Sequence, residues 1–205
     1  SNELRVYVID PNENSLILAK KRYQEVCKSK MDIISYHQQV SDLPKKIDIV
    51  IIATTSDVRR VVIENLLELV QVSYIILEKV VFQSVKDFND IMELISIKNT
   101  QAWVNCARRS YSFYRDIKKE LSGEKVAIKV KGSDWGLACN GIHMIDLLAF
   151  FSEDNDFTFN IDELEHILID SKRNGFKELK GILKISTSRG DLIELNDNED
   201  CEQIL

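Results

Sequence analysis

The sequence predicts an α/β fold in which a parallel sheet wound on both faces is followed by a smaller α+β domain with a mainly antiparallel sheet. In the first half, short β-branched runs alternate with longer segments of helical periodicity, which is typical of βαβ units. From Gly123 onwards the strand-like runs alternate apolar and polar residues, and all seven glycines lie in this part. We therefore expect one domain over residues 1–122 and a second over residues 123–205.

The first domain is predicted to contain five strands and four helices. The apolar run IDIVIIA is typical of a strand that is covered on both faces. Thr55, Ser56 and Asp57 follow it as N-cap candidates for a helix that runs to about residue 69. The predicted strands are 4–9, 32–36, 47–53, 74–77 and 102–105, and the other helices are 14–28, 85–97 and 110–121.

The second domain is predicted to place one apolar helix among several strands. The run KVAIKVK has the alternation of a strand with one face in water. We expect strands at 125–131, 166–170, 180–187 and 192–195, and a helix at 139–151. The sheet that these strands form is expected to be incomplete at the C-terminal end of the chain.

Composition limits the kinds of partner. The 205 residues include 44% apolar residues, enough for a sizeable core, and the net charge of −6 gives no basic field for nucleic acid or an anionic membrane. No apolar run approaches the roughly 20 residues of a membrane helix. The four cysteines are scattered without a C-x-x-C pair, which indicates reduced thiols in a cytoplasmic protein.

Polar residues follow several of the predicted parallel strands. Asp10, Thr54, Lys79 and Asn105 stand where strands end, and the carboxyl ends of parallel strands form the edge at which such sheets bind ligands. Asp10 is a candidate to bind the ribose of adenosine and to repel a 2′-phosphate, or else it is a turn residue. Lys79 is a candidate to hold a substrate hydroxyl and accept its proton, or else it pairs with Glu78 at the surface.

The second half adds further candidates. His143 lies four residues after Cys139 and three before Asp146, so one helix face would carry all three, and Asp146 is a candidate to orient the imidazole. The alternatives are a structural histidine and a zinc pair with Cys139, but no other ligand has suitable spacing and we predict no metal. Arg109 either binds an anionic group of the substrate or is a solvated cation. Trp135 either stacks against a sugar or is a buried ring under a turn.

Taken together, the chain resembles the Gfo/Idh/MocA family of NAD(P)-dependent oxidoreductases. The resemblance is carried, in the family's order, by VYVIDPN, IDIVIIATTSD, YIILEKV, WVNCARR and GIHMIDLLAFF. It implies a Rossmann-type dinucleotide-binding domain followed by a substrate domain whose open sheet often forms homo-oligomers. It also implies hydride transfer between a nicotinamide and the hydroxyl-bearing carbon of a small molecule, here a sugar or sugar nucleotide.

The resemblance assigns roles by position. Lys79 and His143 match the catalytic lysine and histidine. Because Asp10 disfavours a 2′-phosphate, NAD is preferred over NADP. The cofactor-binding positions are Asp10, Thr54, Thr55, Glu78 and Asn105, and the substrate-binding positions are Arg109, Trp135 and Asn140.

The chain departs from the family pattern in three places. Val80 replaces the proline after the catalytic lysine, so we expect a looser turn. Cys139 replaces an acid, and Asn140 is the candidate for the polar contact. The first 122 residues contain no glycine, so no G-x-G-x-x-G turn is present. We expect that turn and the family's first strand to precede Ser1 in a protein of roughly 300 residues.

Two alternatives remain open. One is a catalytically degenerate member of the same fold that binds a nicotinamide or a sugar and acts as a sensor or scaffold. The other is a phospho-acceptor receiver domain, which VYVIDPNE resembles. The run IDIVIIATT lacks the acceptor aspartate that a receiver domain needs, so this interpretation is disfavoured.

Overall fold

The computed structural model describes residues 4–26 and 33–198. The chain divides into two compact units, Ser1–Val104 and Asn105–Leu205, called unit 1 and unit 2 below. The division falls before the predicted boundary at 122/123. The reason is that the helix preceding that boundary packs Tyr114, Ile117 and Leu121 against the core of unit 2.

Unit 1 alternates strands and helices, and two of its strand pairs are parallel. Strand β1 pairs with β2 and β3 with β4, and β3, β4 and β5 form one sheet in that order. The predicted parallel α/β arrangement is confirmed, and residues 27, 28 and 32 of the predicted elements lie outside the described residues. The elements are β1 (Arg5–Ile9), α1 (Glu13–Val26), β2 (Ile33–His37), β3 (Lys46–Ile52), α2 (Arg59–Leu69), β4 (Gln71–Glu78), α3 (Val85–Ile97) and β5 (Gln101–Asn105).

Helices α2 and α3 bury one stripe each against β3 and β4. The buried positions of α2 follow helical spacing, and α3 contributes two residues one turn apart. The predicted N-cap of α2 is wrong: residues 56–58 form a turn, and the helix begins at Arg59 without a side-chain cap. The core consists of Ile52, Ile63, Leu66, Leu67, Val70, Val72, Ile75, Leu77, Phe82, Ile91 and Ile95.

Unit 2 places a helix on a mixed sheet of order β6-β11-β10-β7. Strand β10 is antiparallel to β7 and β11, whereas β6 runs parallel to β11, which confirms the predicted mainly antiparallel sheet. Two-residue strands β8 and β9 form a separate antiparallel pair. The elements are α4 (Ser112–Leu121), β6 (Ala127–Gly132), α5 (Leu137–Ser152), β7 (Phe157–Leu164), β8 (Ile169–Asp170), β9 (Lys177–Glu178), β10 (Gly181–Thr187) and β11 (Leu192–Asp197).

The predicted strand at 166–170 is wrong in extent, because only Ile169–Asp170 pairs there, while β7 was not predicted. Helix α5 covers one face of the sheet, with Leu148 fully buried against the strands. No helix in the described ranges is long and apolar enough to cross a membrane. The core of unit 2 consists of Val126, Leu137, Leu147, Leu148, Phe151, Ile185, Ile193 and Leu195.

Candidate functional site

Several predicted site residues of unit 1 lie where β3 and β4 end. In the parallel register Ile52 is the partner of Leu77. Thr54 and Lys79 each follow two residues later, so both segments leave the sheet at the same edge. Glu78 is the last residue of β4. Asn105 is the last residue of β5, the strand next to β4.

A buried arginine connects the two segments at this edge. Arg59, at the start of α2, is only 2% exposed. Its Nη1 donates to the carbonyl oxygens of Glu78 at 2.6 Å, Val80 at 2.5 Å and Val81 at 2.8 Å. Its Nη2 donates to the carbonyl oxygen of Thr54. One guanidinium therefore satisfies backbone acceptors in the turns after both strands.

The charge of Arg59 is placed in a poorly hydrated environment. Burial lowers the pKa of Arg59, while the nearby charges of Glu78 and Asp57 raise it. The guanidinium stays protonated because arginine does not lose its proton in proteins. Sequence reasoning missed Arg59. Its signal was its position four residues before Ile63, on the apolar face of α2.

The turn that contains Lys79 is held on both sides. The Lys79–Val80 peptide is cis, although Val80 replaces the family's proline. Arg59 bonds the carbonyl oxygens immediately before and after Lys79. Hydrogen bonds from a distant side chain thus reach the backbone of this turn, and the looser turn stays a prediction.

Asp10 lies directly after β1 and takes part in a local turn. Its Oδ1 accepts from the N–H of Asn12 at 2.8 Å, and its own N–H donates to the carbonyl oxygen of His37 at 3.2 Å. This is the turn role that the sequence left open. A carboxylate accepts several hydrogen bonds, so this turn is compatible with a ribose ligand.

In unit 2, two buried carboxylates cap the start of α5. Asp197 Oδ2 and Glu178 Oε2 each accept from two backbone N–H groups, at 2.8–3.3 Å. The first N–H groups of a helix have no partner within the helix, and negative charge there also interacts favourably with the helix dipole. The four donors belong to Gly136, Leu137, Ala138 and Cys139.

A buried lysine accompanies this cap. Lys180 Nζ lies 2.6 Å from Asp134 Oδ1 and 3.4 Å from Asp197 Oδ1. The hydrogen bond to Asp134 raises the pKa of Lys180, against the effect of burial, which lowers it. The ammonium group offsets part of the negative charge that the cap places in the interior. These charges fix the beginning of the helix that carries Asn140 and His143.

Trp135 and Asn140 both hold the segment that leads into α5. Trp135 Nε1 donates to the carbonyl oxygen of Asn196 at 2.9 Å, and its half-buried ring packs on the core. Asn140 Nδ2 donates to the carbonyl oxygen of Trp135 at 2.7 Å. The half-buried His143 follows Asn140 within α5.

Asp146 forms an ion pair with an arginine that the sequence did not predict. Arg109 Nε donates to Asp146 Oδ2 at 2.9 Å, and Nη2 donates to Oδ1. The guanidinium lies 5.7 Å from the ring centre of Phe150, and the contact with Asp146 raises the pKa of Arg109. Asp146 was interpreted as orienting His143. The carboxylate also forms a two-point, charge-assisted pair with Arg109, and because a carboxylate accepts several hydrogen bonds the orienting role stays a prediction.

The described part of the chain contains no group of three or more His, Cys, Asp or Glu side chains that could hold a metal ion. Cys106 and Cys139 form no disulfide there.

No protein-family model matches the chain, and no curated protein matches it. Solved structures do match. A NAD-binding protein from Listeria innocua is 15% identical, with a TM-score of 0.64 over 98% of this chain and 69% of that one. An oxidoreductase from Agrobacterium radiobacter, in complex with NAD⁺, L-tartaric acid and magnesium, is 14% identical, with a TM-score of 0.66 over 100% of this chain and 69% of that one.

A third structure is the transcriptional regulator Gal80p from Kluyveromyces lactis. It is 13% identical, with a TM-score of 0.69 over 97% of this chain and 58% of that one. The chain thus spans between 58% and 69% of the length of these three proteins. The chain has the fold of these NAD-binding and oxidoreductase structures, in agreement with its sequence resemblance to the Gfo/Idh/MocA family.

Proposed function

We propose that this protein is an NAD-dependent oxidoreductase that transfers a hydride between nicotinamide and the hydroxyl-bearing carbon of a sugar or sugar-like molecule. The observation that carries the proposal is the position of Lys79 at the carboxyl end of β4. There the backbone on both sides of Lys79 is bonded by a buried arginine. A proton acceptor needs such a fixed position, and the fold is shared with a NAD⁺-bound oxidoreductase.

The residues at the strand ends suit part of the proposed cofactor. Thr54 Oγ1 is buried and has no hydrogen-bond partner among the described residues, so a polar ligand group would satisfy it. Thr55 and Asn105 would add a hydroxyl and an amide beside the nicotinamide. Asp10 would bind the ribose and disfavour a 2′-phosphate, which favours NAD over NADP. No glycine occurs before Gly123, so the proposal assigns no residue to the diphosphate.

The chain's own contribution is the movement of one proton. When bound, NAD⁺ supplies the acceptor for the hydride that leaves the substrate carbon. Lys79 Nζ would take the proton of the substrate hydroxyl while that carbon becomes a carbonyl. His143 is proposed as the second group that bonds the hydroxyl, and Arg109, Trp135 and Asn140 as substrate contacts. A placed proton acceptor of this kind contributes about 10²–10⁴ in rate.

The experiment measures binding and turnover separately, on the protein that the gene encodes. NADH and NADPH are titrated by nicotinamide fluorescence, and reduction of NAD⁺ is followed with a panel of aldoses, cyclitols and nucleotide sugars. We expect tighter binding of NADH and turnover of at least one sugar. Lys79→Ala should leave NADH affinity unchanged and lower kcat by about 10²–10⁴.

Lys86→Ala is the matched control, because Lys86 is an exposed lysine of unit 1 that pairs with Asp90 on its own helix. It should change neither binding nor turnover. Unchanged turnover in Lys79→Ala would exclude Lys79 as the proton acceptor. Failure of the wild type to bind either dinucleotide would refute the proposed function.

A second candidate function is a regulator or scaffold that binds the dinucleotide or a sugar without turnover. It is favoured by the match to Gal80p, a transcriptional regulator. The same titration separates the two functions, since the regulator would bind NADH and turn over no sugar.

We also propose a cytoplasmic location and homo-oligomers that form through the sheet of unit 2, without a nucleic-acid or membrane partner.

A further inference from the structure

We propose that Arg59 is the positioning residue of the candidate site: it holds the Thr54 and Lys79 turns in one fixed arrangement. The inference rests on the proposed function for the role of Lys79. That one guanidinium holds both turns follows from the geometry of unit 1. This part of the inference can be tested by a measurement that does not need enzymatic turnover.

Arg59 satisfies backbone acceptors that the sheet leaves without a partner. A strand that ends at a sheet edge leaves carbonyl groups without a partner in the ladder, and a poorly hydrated carbonyl needs a donor. Arg59 donates to three carbonyl oxygens in the Glu78–Val81 segment and to that of Thr54. These acceptors are 19–22 residues away on one side and five on the other. The Arg59 side chain therefore connects the Thr54 turn with the Lys79 turn, which are far apart along the chain.

The planar shape of the Arg59 guanidinium suits several acceptors at once. A guanidinium carries five N–H groups in a fixed plane, so it can serve several acceptors in set directions. A lysine ammonium at the same place has three donors on one atom and a different reach. Arg59→Lys keeps the charge and loses the planar fork, so it isolates the geometric role from the electrostatic one.

The neighbouring residue provides a matched control. Arg60 is also an arginine in the first turn of α2, but it pairs with Glu64 on its own helix and with Asp87 and Asp90 on α3. Its contacts are carboxylates at the helix surface and include no strand-end carbonyl. Arg60→Lys thus makes the same chemical change one residue away without touching the turns.

The test is hydrogen exchange followed by mass spectrometry on the cofactor-free protein. Segments 53–58 and 78–83 report the two turns, and segment 85–97 reports α3. In Arg59→Lys we expect exchange in both turns to rise by at least about tenfold, because their local opening becomes easier, while α3 stays as in the wild type. Arg60→Lys should leave both turns unchanged. If Arg59→Lys does not fold, Arg59→Gln, with its planar amide and two N–H donors, takes its place.

Turnover adds the functional half of the test. With NAD⁺ and the best sugar of the panel, Arg59→Lys should lower kcat by about 10²-fold, since displacement of a reacting group by about 1 Å has an effect of that size. KM for NAD⁺ should rise as well, because the Thr54 turn that Arg59 bonds is a proposed cofactor contact. Arg60→Lys should keep the wild-type kcat. A fall in kcat without faster exchange in the turns would contradict the positioning role.

Two results would overturn the inference. One is unchanged exchange in the turns of Arg59→Lys. The other is an equal rise across all of unit 1, which would mean that Arg59 supports the fold as a whole. Absence of wild-type turnover would instead refute the proposed function, and the exchange pattern would still decide whether Arg59 holds the two turns.

Discussion

The substitution Asp197→Ala tests whether buried carboxylates set the beginning of α5. Asp197 is 1% exposed, and its Oδ2 accepts from the N–H groups of Gly136 and Leu137 at 2.9 and 3.2 Å. Its Oδ1 lies 3.4 Å from Lys180 Nζ. Alanine removes both acceptors and leaves Lys180 with Asp134 alone.

The magnitude follows from the groups that lose a partner. Each buried N–H left without an acceptor costs about 1–3 kcal/mol. Removing one partner of a buried ion pair costs about 3–5 kcal/mol in other proteins. Because the retained contact between Lys180 and Asp134 limits the second effect, we expect the free energy of unfolding to fall by about 3 kcal/mol. Asp197→Asn keeps an oxygen acceptor without the charge, so it should lower the free energy of unfolding by about half as much.

The assay is urea unfolding followed by tryptophan fluorescence. The chain has two tryptophans, one in each unit. Replacing the half-exposed Trp103 with phenylalanine leaves Trp135 as the single reporter. Its Nε1 bonds the carbonyl oxygen of Asn196, the residue before Asp197. With an m-value of about 2 kcal/mol per molar urea, the expected loss lowers the midpoint by about 1.5 M.

Asp170→Ala is the control, because Asp170 is an exposed acid of the same unit that pairs with Lys177. Its midpoint should equal that of the parent, since exposed ion pairs contribute little. A midpoint for Asp197→Ala within about 0.3 M of the parent would refute the reasoning. The N–H groups at the start of α5 would then be satisfied equally well without the carboxylate.

Two further predictions concern unit 2. Gly181→Ala should lower the midpoint of thermal unfolding of unit 2 more than Gly175→Ala does. Both glycines have a positive φ, but a Cβ at 181 overlaps backbone atoms of β7 whereas at 175 the space is open. Burial raises the pKa of Asp191, but hydrogen bonds from Val126 N–H and Thr187 Oγ1, both at 2.9 Å, outweigh it and lower this pKa. The folded state therefore binds fewer protons than the unfolded state, so urea midpoints should fall as pH drops below about 4, and less steeply in Asp191→Asn.

Most of the elements could be predicted because local patterns determine them. The run IDIVII is nearly continuous and apolar, and it forms β3 as predicted. Helices α2 and α3 cover one of its faces, whereas Ile49 and Ile51 are exposed, so the predicted cover on both faces is not found in the described residues. Strand β7 was missed although FTFNID alternates apolar and polar residues as KVAIKVK does, and most of its side chains are exposed. The run at 166–170 is more apolar, yet only two of its residues find a partner strand. Pairing depends on distant residues, which local hydrophobicity does not report.

The candidate site divides in the same way. The position of Lys79 at a strand end follows from the four apolar residues before it, and it is where the sequence predicts it. The backbone partners of Arg59 could not be predicted, since the acceptors at and after the end of β4 are 19–22 residues away. Helical spacing suggested that Asp146 serves His143. That stays a prediction, whereas the bond from Arg109 to the same carboxylate could not be predicted, because the two residues are 37 positions apart.

Both units anchor their candidate residues with a buried charge that bonds backbone groups. In unit 1 the cation Arg59 meets carbonyl oxygens where strands end. In unit 2 the anions Asp197 and Glu178 meet N–H groups where α5 begins. The sign of each charge follows from what the backbone leaves unpaired, since strand-end turns present acceptors and a helix start presents donors. A buried charge costs free energy unless it is bonded in this way. A charged residue in phase with the apolar residues of a helix, as Arg59 is with Ile63, is therefore the sequence signal for such an anchor.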